Sequence, residues 1–142
     1  MDKIPSFQKD HNLLLPGLYK SMEMQGVTTW DLRFKRPNEG DYITPKALHT
    51  TEHLLATVLR NSCRGQDIIY FGPMGCRTGY YLLTVNMGYE EVKNLLIESC
   101  EKALKLEEIP GNKKQECGNY LEHDLLQARL DIAEYAKLLA NL

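Results

Sequence analysis

Residues 45–59 of the chain read Pro-Lys-Ala-Leu-His-Thr-Thr-Glu-His-Leu-Leu-Ala-Thr-Val-Leu. Apolar residues recur in this stretch at helical spacing, which predicts an amphipathic helix over about residues 45–63. The threonine before the stretch and the proline that opens it are a typical N-cap and first helical residue. Because His49 and His53 are four residues apart, such a helix places both rings on one face, one turn apart.

This arrangement of two imidazoles can bind one divalent metal ion, and H-x-x-E-H is a known metal-site pattern. Glu52 lies beside the pair and can reach a metal-bound water or a substrate as a base. The same residues are also compatible with two surface histidines and a solvated glutamate on an ordinary helix. The rest of the chain must therefore decide between a metal site and a plain surface.

Length and composition narrow the class of protein. The 142 residues predict one domain, 1–142, and 43% hydrophobic with 25% charged residues is a globular composition. A net charge of −2 without a basic block argues against a nucleic-acid or anionic-membrane partner. No signal core or transmembrane run is evident, which predicts a cytoplasmic protein. Its four cysteines are then expected to be thiols or metal ligands rather than disulfides.

Other periodic stretches predict the remaining elements. Strands are predicted at 18–24, 27–35, 67–71 and 80–85, and further helices at 89–107 and 120–140. Residues 1–17 are expected to form an irregular arm, whose His11 either faces a ligand or is simply solvated. In the strand at 27–35 apolar and charged residues alternate, so one face should be buried and the other polar. The pattern alone favours an exposed cross-strand charge for Arg33.

Cys76 lies among glycines on a tight connection between two predicted core strands. A glycine-rich backbone can approach a ligand closely, and a neighbouring Arg77 or a metal ion would favour the thiolate. Cys76 is therefore a candidate acid, base or nucleophile. Cys100, by contrast, lies on an apolar helical stripe and is expected in the core.

Cys117 is the best candidate for a third metal ligand. It precedes the helix predicted at 120–140, where the helix dipole would favour a thiolate. His123, a turn further on, is either a group behind the ligands or an ordinary helix residue. Two histidines and one cysteine leave the fourth tetrahedral position open, as catalytic sites do. Such a centre suits chemistry next to a carbonyl, such as enolisation and β-elimination, but also hydrolysis.

Taken together, the motifs resemble S-ribosylhomocysteine lyases, the LuxS family. The resemblance spans residues 6 to about 129, and its stretches occur in family order. They are Ser6-Phe7 with Asp10-His11, Asp31-Leu32-Arg33-Phe34 with Pro37-Asn38, His49-Thr50 with Glu52-His53-Leu54, Pro73-Met74-Gly75-Cys76-Arg77-Thr78-Gly79-Tyr80, and Cys117-Gly118 with His123.

The resemblance implies an α+β fold in which an antiparallel β-sheet packs against α-helices. It also implies a role for each matching residue. The metal, ferrous iron with zinc or cobalt able to substitute, would be held by His49, His53 and Cys117. The general base and acid would be Glu52 and Cys76, and the substrate contacts would be Ser6, His11 and Arg33.

The implied reaction converts S-ribosylhomocysteine. The sugar carbonyl would migrate from carbon one to carbon three by successive enolisations, and homocysteine would leave by β-elimination. The co-product would be 4,5-dihydroxy-2,3-pentanedione, precursor of the quorum-sensing signal autoinducer-2. Family members are homodimers with two active sites at the interface, built from both subunits.

One stretch departs from the family pattern, and two other classes of protein stay open. Tyr70-Phe71-Gly72 stands where the family more often has Asp, an apolar residue and Ser, an acidic position that helps to hold the amino-acid end of the substrate. An inverted H-x-x-E-H metallopeptidase would use a distant glutamate as third ligand and a larger chain. A non-catalytic signal-binding or metal-storage protein would need neither Glu52 nor Cys76.

Overall fold

Four strands and four helices build the chain in a computed structural model that describes residues 1–142. The strands are β1 (Gly17–Met24), β2 (Val27–Arg33), β3 (Ile68–Pro73) and β4 (Gly79–Thr84). The helices are α1 (Pro5–Gln8), α2 (Pro45–Arg60), α3 (Tyr89–Leu104) and α4 (Leu125–Ala140), with a short 3-10 turn at Gly65–Asp67. The strands form one antiparallel sheet in the order β1-β2-β4-β3, and α2, α3 and α4 pack together on it, which confirms the predicted α+β class.

Helix α2 carries the H-x-x-E-H residues, as the periodicity predicts. The Thr44 side chain caps it by accepting a hydrogen bond from the Ala47 amide, and proline occupies the first turn. Its buried face includes Leu54, Leu55 and Leu59. The helix ends at Arg60, three residues earlier than predicted, where the Asn61 side chain donates to the backbone carbonyl of the last turn.

The core lies between the helices and one face of the sheet. Twenty-three buried residues form a single cluster there, so one continuous core holds the fold. The Trp30 indole donates to Thr84 Oγ1 at 2.9 Å, which satisfies its only polar group inside the core. Cys100 is buried in this cluster as predicted, and burial raises the pKa of its thiol to about 12.

The opposite face of the sheet differs from the prediction. Asp31 and Arg33 lie on it, but their side chains are only 1% and 2% exposed. The predicted exposed charge at Arg33 is therefore wrong. The two residues form an ion pair with each other, and the arm that precedes β1 adds Lys9, whose amine is 3.0 Å from Asp31 Oδ2. That arm is not wholly irregular, since α1 is a short helix within it.

The last helix also begins later than predicted. Helix α4 starts at Leu125 instead of residue 120, because Asp124 is its N-cap and accepts a hydrogen bond from the Gln127 amide. Residues 105–124 are consequently one long connection, and both Cys117 and His123 lie in it. Cys117 is therefore not at a helix N-terminus, and the helix-dipole argument for its thiolate is wrong. No helix of the chain combines the length and the apolar character that crossing a bilayer requires.

Candidate active site

Four side chains converge into one cluster of possible metal donors. His49 and His53 come from α2, and Cys117 and His123 come from the 105–124 connection. Their ligand atoms all lie within 4.8 Å of one another. The Cys117 sulfur is 3.4 Å from His49 Nε2, 3.8 Å from His53 Nε2 and 4.0 Å from His123 Nε2. The fold thus brings together the three predicted ligands and adds a fourth donor.

Backbone carbonyls orient the two α2 histidines. His49 Nδ1 lies 2.8 Å from the Glu122 carbonyl oxygen, and His53 Nδ1 lies 2.8 Å from the Pro110 carbonyl oxygen. Because a carbonyl oxygen only accepts, each Nδ1 carries the proton and donates it. Each Nε2 then keeps its lone pair and faces the Cys117 sulfur, which is the arrangement of metal-binding histidines.

His123 is oriented in the same sense by a side chain. The Thr50 hydroxyl donates to the Lys46 carbonyl at 3.0 Å and accepts from the Asp124 amide at 2.9 Å. Since that hydroxyl hydrogen is already used, His123 Nδ1, 2.9 Å away, must be the donor of their shared bond. Its Nε2 lone pair therefore also faces the cluster.

The protonation state of His123 agrees with this role. Burial, and then the neighbouring His49 and His53, lower the pKa of His123 to about 4. The ring is therefore neutral at pH 7, and only a neutral imidazole can bind a metal ion. The sequence left His123 undecided because it was placed on a helix. In the 105–124 connection it folds back to the same point as Cys117.

The donor set fits a divalent transition-metal ion. Imidazole nitrogen and thiolate sulfur are the donors that zinc, cobalt and iron accept. A tetrahedral ion with ordinary zinc bond lengths holds a sulfur and a nitrogen about 3.6 Å apart. The distances to His49 and His53, 3.4 and 3.8 Å, lie on either side of that value, whereas His123 at 4.0 Å is the furthest donor from the sulfur.

Glu52 lies on α2 between the two histidines and is half-buried. Its carboxylate forms no hydrogen bond or ion pair within the chain, which leaves both oxygens available as proton acceptors. Burial raises the pKa of the Tyr80 hydroxyl, and the Asp131 and Glu52 carboxylates raise it further.

Cys76 belongs to a second cluster, on the tight turn between β3 and β4. The turn is closed by hydrogen bonds from the Met74 amide to the Gly79 carbonyl and from the Arg77 amide to the Met74 carbonyl. The Cys76 side chain is exposed, as a reacting thiol must be. Its sulfur lies 3.1 Å from Thr78 Oγ1 and 3.9 Å from Arg33 Nη1. The structure therefore places two predicted site residues, Cys76 and Arg33, side by side.

The Arg33 guanidinium is held in one orientation by the buried Asp31 carboxylate. Arg33 Nε donates to Oδ1 at 3.1 Å, and Nη2 donates to Oδ2 at 2.6 Å, which makes the pair bidentate. The remaining nitrogen, Nη1, donates to Thr78 Oγ1 at 2.7 Å. One side chain therefore joins the sheet, the Cys76 turn and, through Asp31 and Lys9, the N-terminal arm.

The arm brings Ser6 and His11 towards the same side of the molecule. Ser6 lines an open cavity of about 290 Å³ whose walls include Tyr70 and Tyr81. His11 is half-buried, and its Nδ1 lies 2.9 Å from the Lys9 carbonyl, so Nδ1 donates and Nε2 is left as an acceptor. The Lys9–Asp31 bond thus connects the part of the arm that holds both residues to the Arg33 pair.

The side chain of Tyr70 occupies the space above Gly72. The Tyr70 side chain folds across Gly72 on the strand, and a Cβ at residue 72 would overlap the Tyr70 hydroxyl and ring. A serine at residue 72 would require the Tyr70 ring to move. Gly72 thus leaves room for the Tyr70 ring, which forms an aromatic wall of the cavity.

Within one chain the metal donors and the Cys76 cluster are separate. The metal donors lie on α2 and the 105–124 connection, and the Cys76 cluster lies at the end of the β3–β4 hairpin. No hydrogen bond or ion pair joins the two groups. The predicted metal ligands thus form one cluster, Arg33 and Cys76 form another, and Glu52 lies on the helix of the first.

A cluster of three imidazoles and one cysteine sulfur that could hold a metal ion, on an α+β scaffold, is consistent with a metal-dependent enzyme. Comparison with known proteins identifies the family. Residues 4–141 match the family model described as S-Ribosylhomocysteinase (LuxS). This chain belongs to that family.

Curated relatives agree in both sequence and length. A protein of Phocaeicola vulgatus named S-ribosylhomocysteine lyase is 46% identical over 142 residues, covering 95% of this chain and 88% of the relative. One of Borreliella afzelii with the same name is 42% identical over 149 residues, covering 100% of this chain and 95% of the relative. A third, from Finegoldia magna, is 39% identical and covers 100% of this chain and 94% of its own length.

Proposed function

We propose that the chain is an S-ribosylhomocysteine lyase that releases homocysteine and 4,5-dihydroxy-2,3-pentanedione, the precursor of autoinducer-2. The observation that carries the proposal is the convergence of His49 Nε2, His53 Nε2 and the Cys117 sulfur, in a chain of this family. The names of the curated relatives support the same activity.

We assign the resident metal to His49, His53 and Cys117, and we propose ferrous iron, with zinc or cobalt able to substitute. Their two nitrogens and one sulfur suit all three metals. When bound there, the ion supplies Lewis-acid polarisation of the sugar oxygens. His123, the donor furthest from the sulfur, is the one that we expect to bind least tightly and to make room for a substrate oxygen.

The proton transfers are assigned to Glu52 and Cys76. Each enolisation removes a proton from the carbon next to the carbonyl and later returns a proton to the old carbonyl carbon, so the carbonyl moves by one position. Two such moves bring it to carbon three, which makes the proton on carbon four acidic. Loss of that proton expels the homocysteine sulfur from carbon five. The sulfur leaves with the electron pair of the broken carbon–sulfur bond and takes up a proton.

Arg33, Ser6 and His11 are proposed to bind the substrate rather than to move protons. Arg33 is buried and held by Asp31, so it is a rigid donor beside Cys76. The Ser6 hydroxyl borders the 290 Å³ cavity, and His11 presents a free ring nitrogen. These groups can orient hydroxyl oxygens of a sugar without taking part in the chemistry.

We further propose a homodimer whose two active sites combine residues of both subunits. In one chain the metal centre and the Cys76 cluster are separate, so a partner copy can place its Cys76 cluster against the metal centre. The exposed apolar side chains of Phe7, Ile69 and Tyr70 support an interface on this side of the molecule. The cytoplasmic location and the absence of nucleic-acid or membrane partners stay predictions from the sequence.

The lyase activity can be tested directly. Anaerobic enzyme loaded with ferrous iron should release one free thiol for each S-ribosylhomocysteine consumed, measured with a thiol reagent. Glu52→Gln is the control, because it keeps the metal donors but removes the proposed base. If the loaded enzyme binds metal and yet releases no thiol, the proposed activity is wrong. No carboxylate lies among the clustered donors, so the metallopeptidase alternative has no third ligand of the type it needs.

Mixing two inactive variants tests the shared site. If Glu52 and Cys76 act from different subunits, a Glu52→Gln/Cys76→Ala heterodimer contains one intact site and one doubly altered site. Random exchange then restores about a quarter of the wild-type activity, because half of the dimers are heterodimers and each has one working site. If both residues act within one chain, mixing restores nothing.

A further inference from the structure

Thr78 ends the turn that carries Cys76, and its side chain is almost completely buried. Its hydroxyl oxygen has two partners. Arg33 Nη1 lies at 2.7 Å and the Cys76 sulfur lies at 3.1 Å. The sulfur is thus closer to this hydroxyl than to the Arg33 guanidinium, which is 3.9 Å away.

Chemistry fixes the direction of the Arg33 hydrogen bond, and burial of the Thr78 hydroxyl decides the direction of the other. A guanidinium has donors only, so Thr78 Oγ1 accepts from Arg33 and keeps its own hydrogen for another partner. The Cys76 sulfur is the only other group in hydrogen-bonding contact with that oxygen. Because the Thr78 side chain is buried, its hydroxyl hydrogen needs an acceptor, and we assign it to the sulfur, the one within reach. A sulfur that receives such a bond is favoured as thiolate over thiol, because only the thiolate is a strong acceptor.

Two features keep this hydroxyl in place. Thr78 is β-branched, so few side-chain rotamers are open to it inside the protein. The Arg33 group that orients it is itself fixed by two hydrogen bonds to Asp31. The chain Asp31–Arg33–Thr78–Cys76 thus runs from a buried carboxylate to an exposed sulfur in three steps.

We propose that Thr78 is the positioning residue for Cys76. Its hydroxyl donates to the sulfur, stabilises the thiolate and holds it at one place beside Arg33. Its effect on turnover rests on the proposed function, in which Cys76 transfers protons. The hydrogen bond itself is independent of any substrate.

The test measures how fast iodoacetamide alkylates Cys76 at pH 7 in metal-free protein. Mass spectrometry of the peptide that contains Cys76 separates it from the other three cysteines. Thr78→Val keeps the shape and removes the hydroxyl, so Cys76 should react about tenfold more slowly or worse, the equivalent of one hydrogen bond to a charged group. Thr78→Ser keeps the hydroxyl and should stay within about threefold of wild type.

Thr28→Val is the matched control. Thr28 is a buried strand threonine whose side chain forms no hydrogen bond near Cys76, so its replacement should leave the alkylation rate unchanged. If Thr78→Val does not fold, Thr78→Ala removes the same hydroxyl without placing a second methyl group against Arg33. A folded Thr78→Val or Thr78→Ala protein that alkylates at the wild-type rate overturns the proposal, whatever happens to its stability.

Turnover separates this proposal from the proposed function. In an active lyase, Thr78→Val should lower kcat with little change in KM, and Thr78→Ser should restore most of it. Slow alkylation in Thr78→Val, together with no lyase activity even in wild type, would keep the hydrogen bond and reject the activity. If Thr78→Val is alkylated at the wild-type rate while the wild-type protein is an active lyase, the activity stands and the proposed hydrogen bond is rejected.

Discussion

The metal cluster and the Cys76 cluster are organised by different kinds of contact. Histidines of the metal cluster are oriented largely by backbone carbonyls of the 105–124 connection, at Pro110 and Glu122. The Cys76 cluster is oriented by side chains, through a buried ion pair between Arg33 and Asp31. Backbone carbonyls depend on the path of the chain, whereas an ion pair depends on two residue identities. We therefore expect a single substitution among the orienting residues to disturb the Cys76 cluster more severely than the metal cluster.

Removing a ligand should have the largest effect on the metal cluster. We expect His49→Ala, His53→Ala and Cys117→Ala each to be purified without stoichiometric metal, because each leaves two of the three assigned ligands and His123, the donor furthest from the sulfur, is expected to bind too weakly to replace the third. Metal analysis of the dialysed proteins checks this. His123→Ala should retain metal but bind it roughly 10–100-fold more weakly, as loss of a supporting group does. Full occupancy in Cys117→Ala, or complete loss in His123→Ala, would contradict this ranking of the donors.

Removing a proton-transfer group should abolish catalysis but not the metal. We expect Cys76→Ala and Glu52→Gln each to lose ~10²–10⁴-fold in kcat, the range for general acid–base catalysis. Their metal content and circular dichroism should match wild type, because neither side chain is within the donor cluster. Anaerobic thiol-release kinetics give the rates. A near wild-type rate in Cys76→Ala would show that the second cluster takes no part in the reaction.

Breaking the ion pair should show the dependence of the Cys76 cluster on side chains. Asp31→Asn leaves the buried Arg33 charge without its partner, and we expect a loss of about 3–5 kcal/mol in the free energy of unfolding. Glu23→Gln removes a carboxylate from an exposed pair with Lys20 and should cost about 0–1 kcal/mol. Urea titration of both variants measures the difference. Equal stabilities would mean that burial adds nothing to the Asp31 pair.

Much of the metal cluster was predictable because its first half is local. His49, Glu52 and His53 are fixed by helical periodicity, and α2 lies where the pattern predicts it. The Cys76 cluster depends on long-range contacts, since Arg33 and Cys76 are 43 residues apart in the sequence. Alternation along β2 correctly separated two faces but could not show that an N-terminal arm attaches to the polar one.

The connection before α4 illustrates the second limit of the sequence. An apolar pattern extended the helix back to residue 120, and this placed His123 on it. The actual boundary is set by a single cap, Asp124, whose side chain competes with helix continuation. Such a local hydrogen bond leaves the apolar period unchanged, so periodicity alone cannot locate it. The error of five residues concealed the fourth donor of the metal cluster.

The smallest expected effect concerns pH and the metal-free protein. The pKa of His123 is lowered in the fold from 6.5 to about 4, first by burial and then by His49 and His53. The unfolded chain therefore binds a proton at this residue more tightly than the folded chain does. As a result, the His123 contribution to stability is fully present above pH 6.5 and is lost as the pH falls towards 4.

We expect metal-free wild type to lose stability between pH 7 and pH 4.5 more steeply than His123→Gln. Urea titrations across that range, in the presence of a chelator, compare the slopes. His11→Gln, which removes a histidine outside the cluster, is measured alongside as a control for the loss of one histidine. Parallel curves for wild type and His123→Gln would mean that His123 binds protons equally in the folded and unfolded chains, and the lowered pKa of His123 would then be wrong.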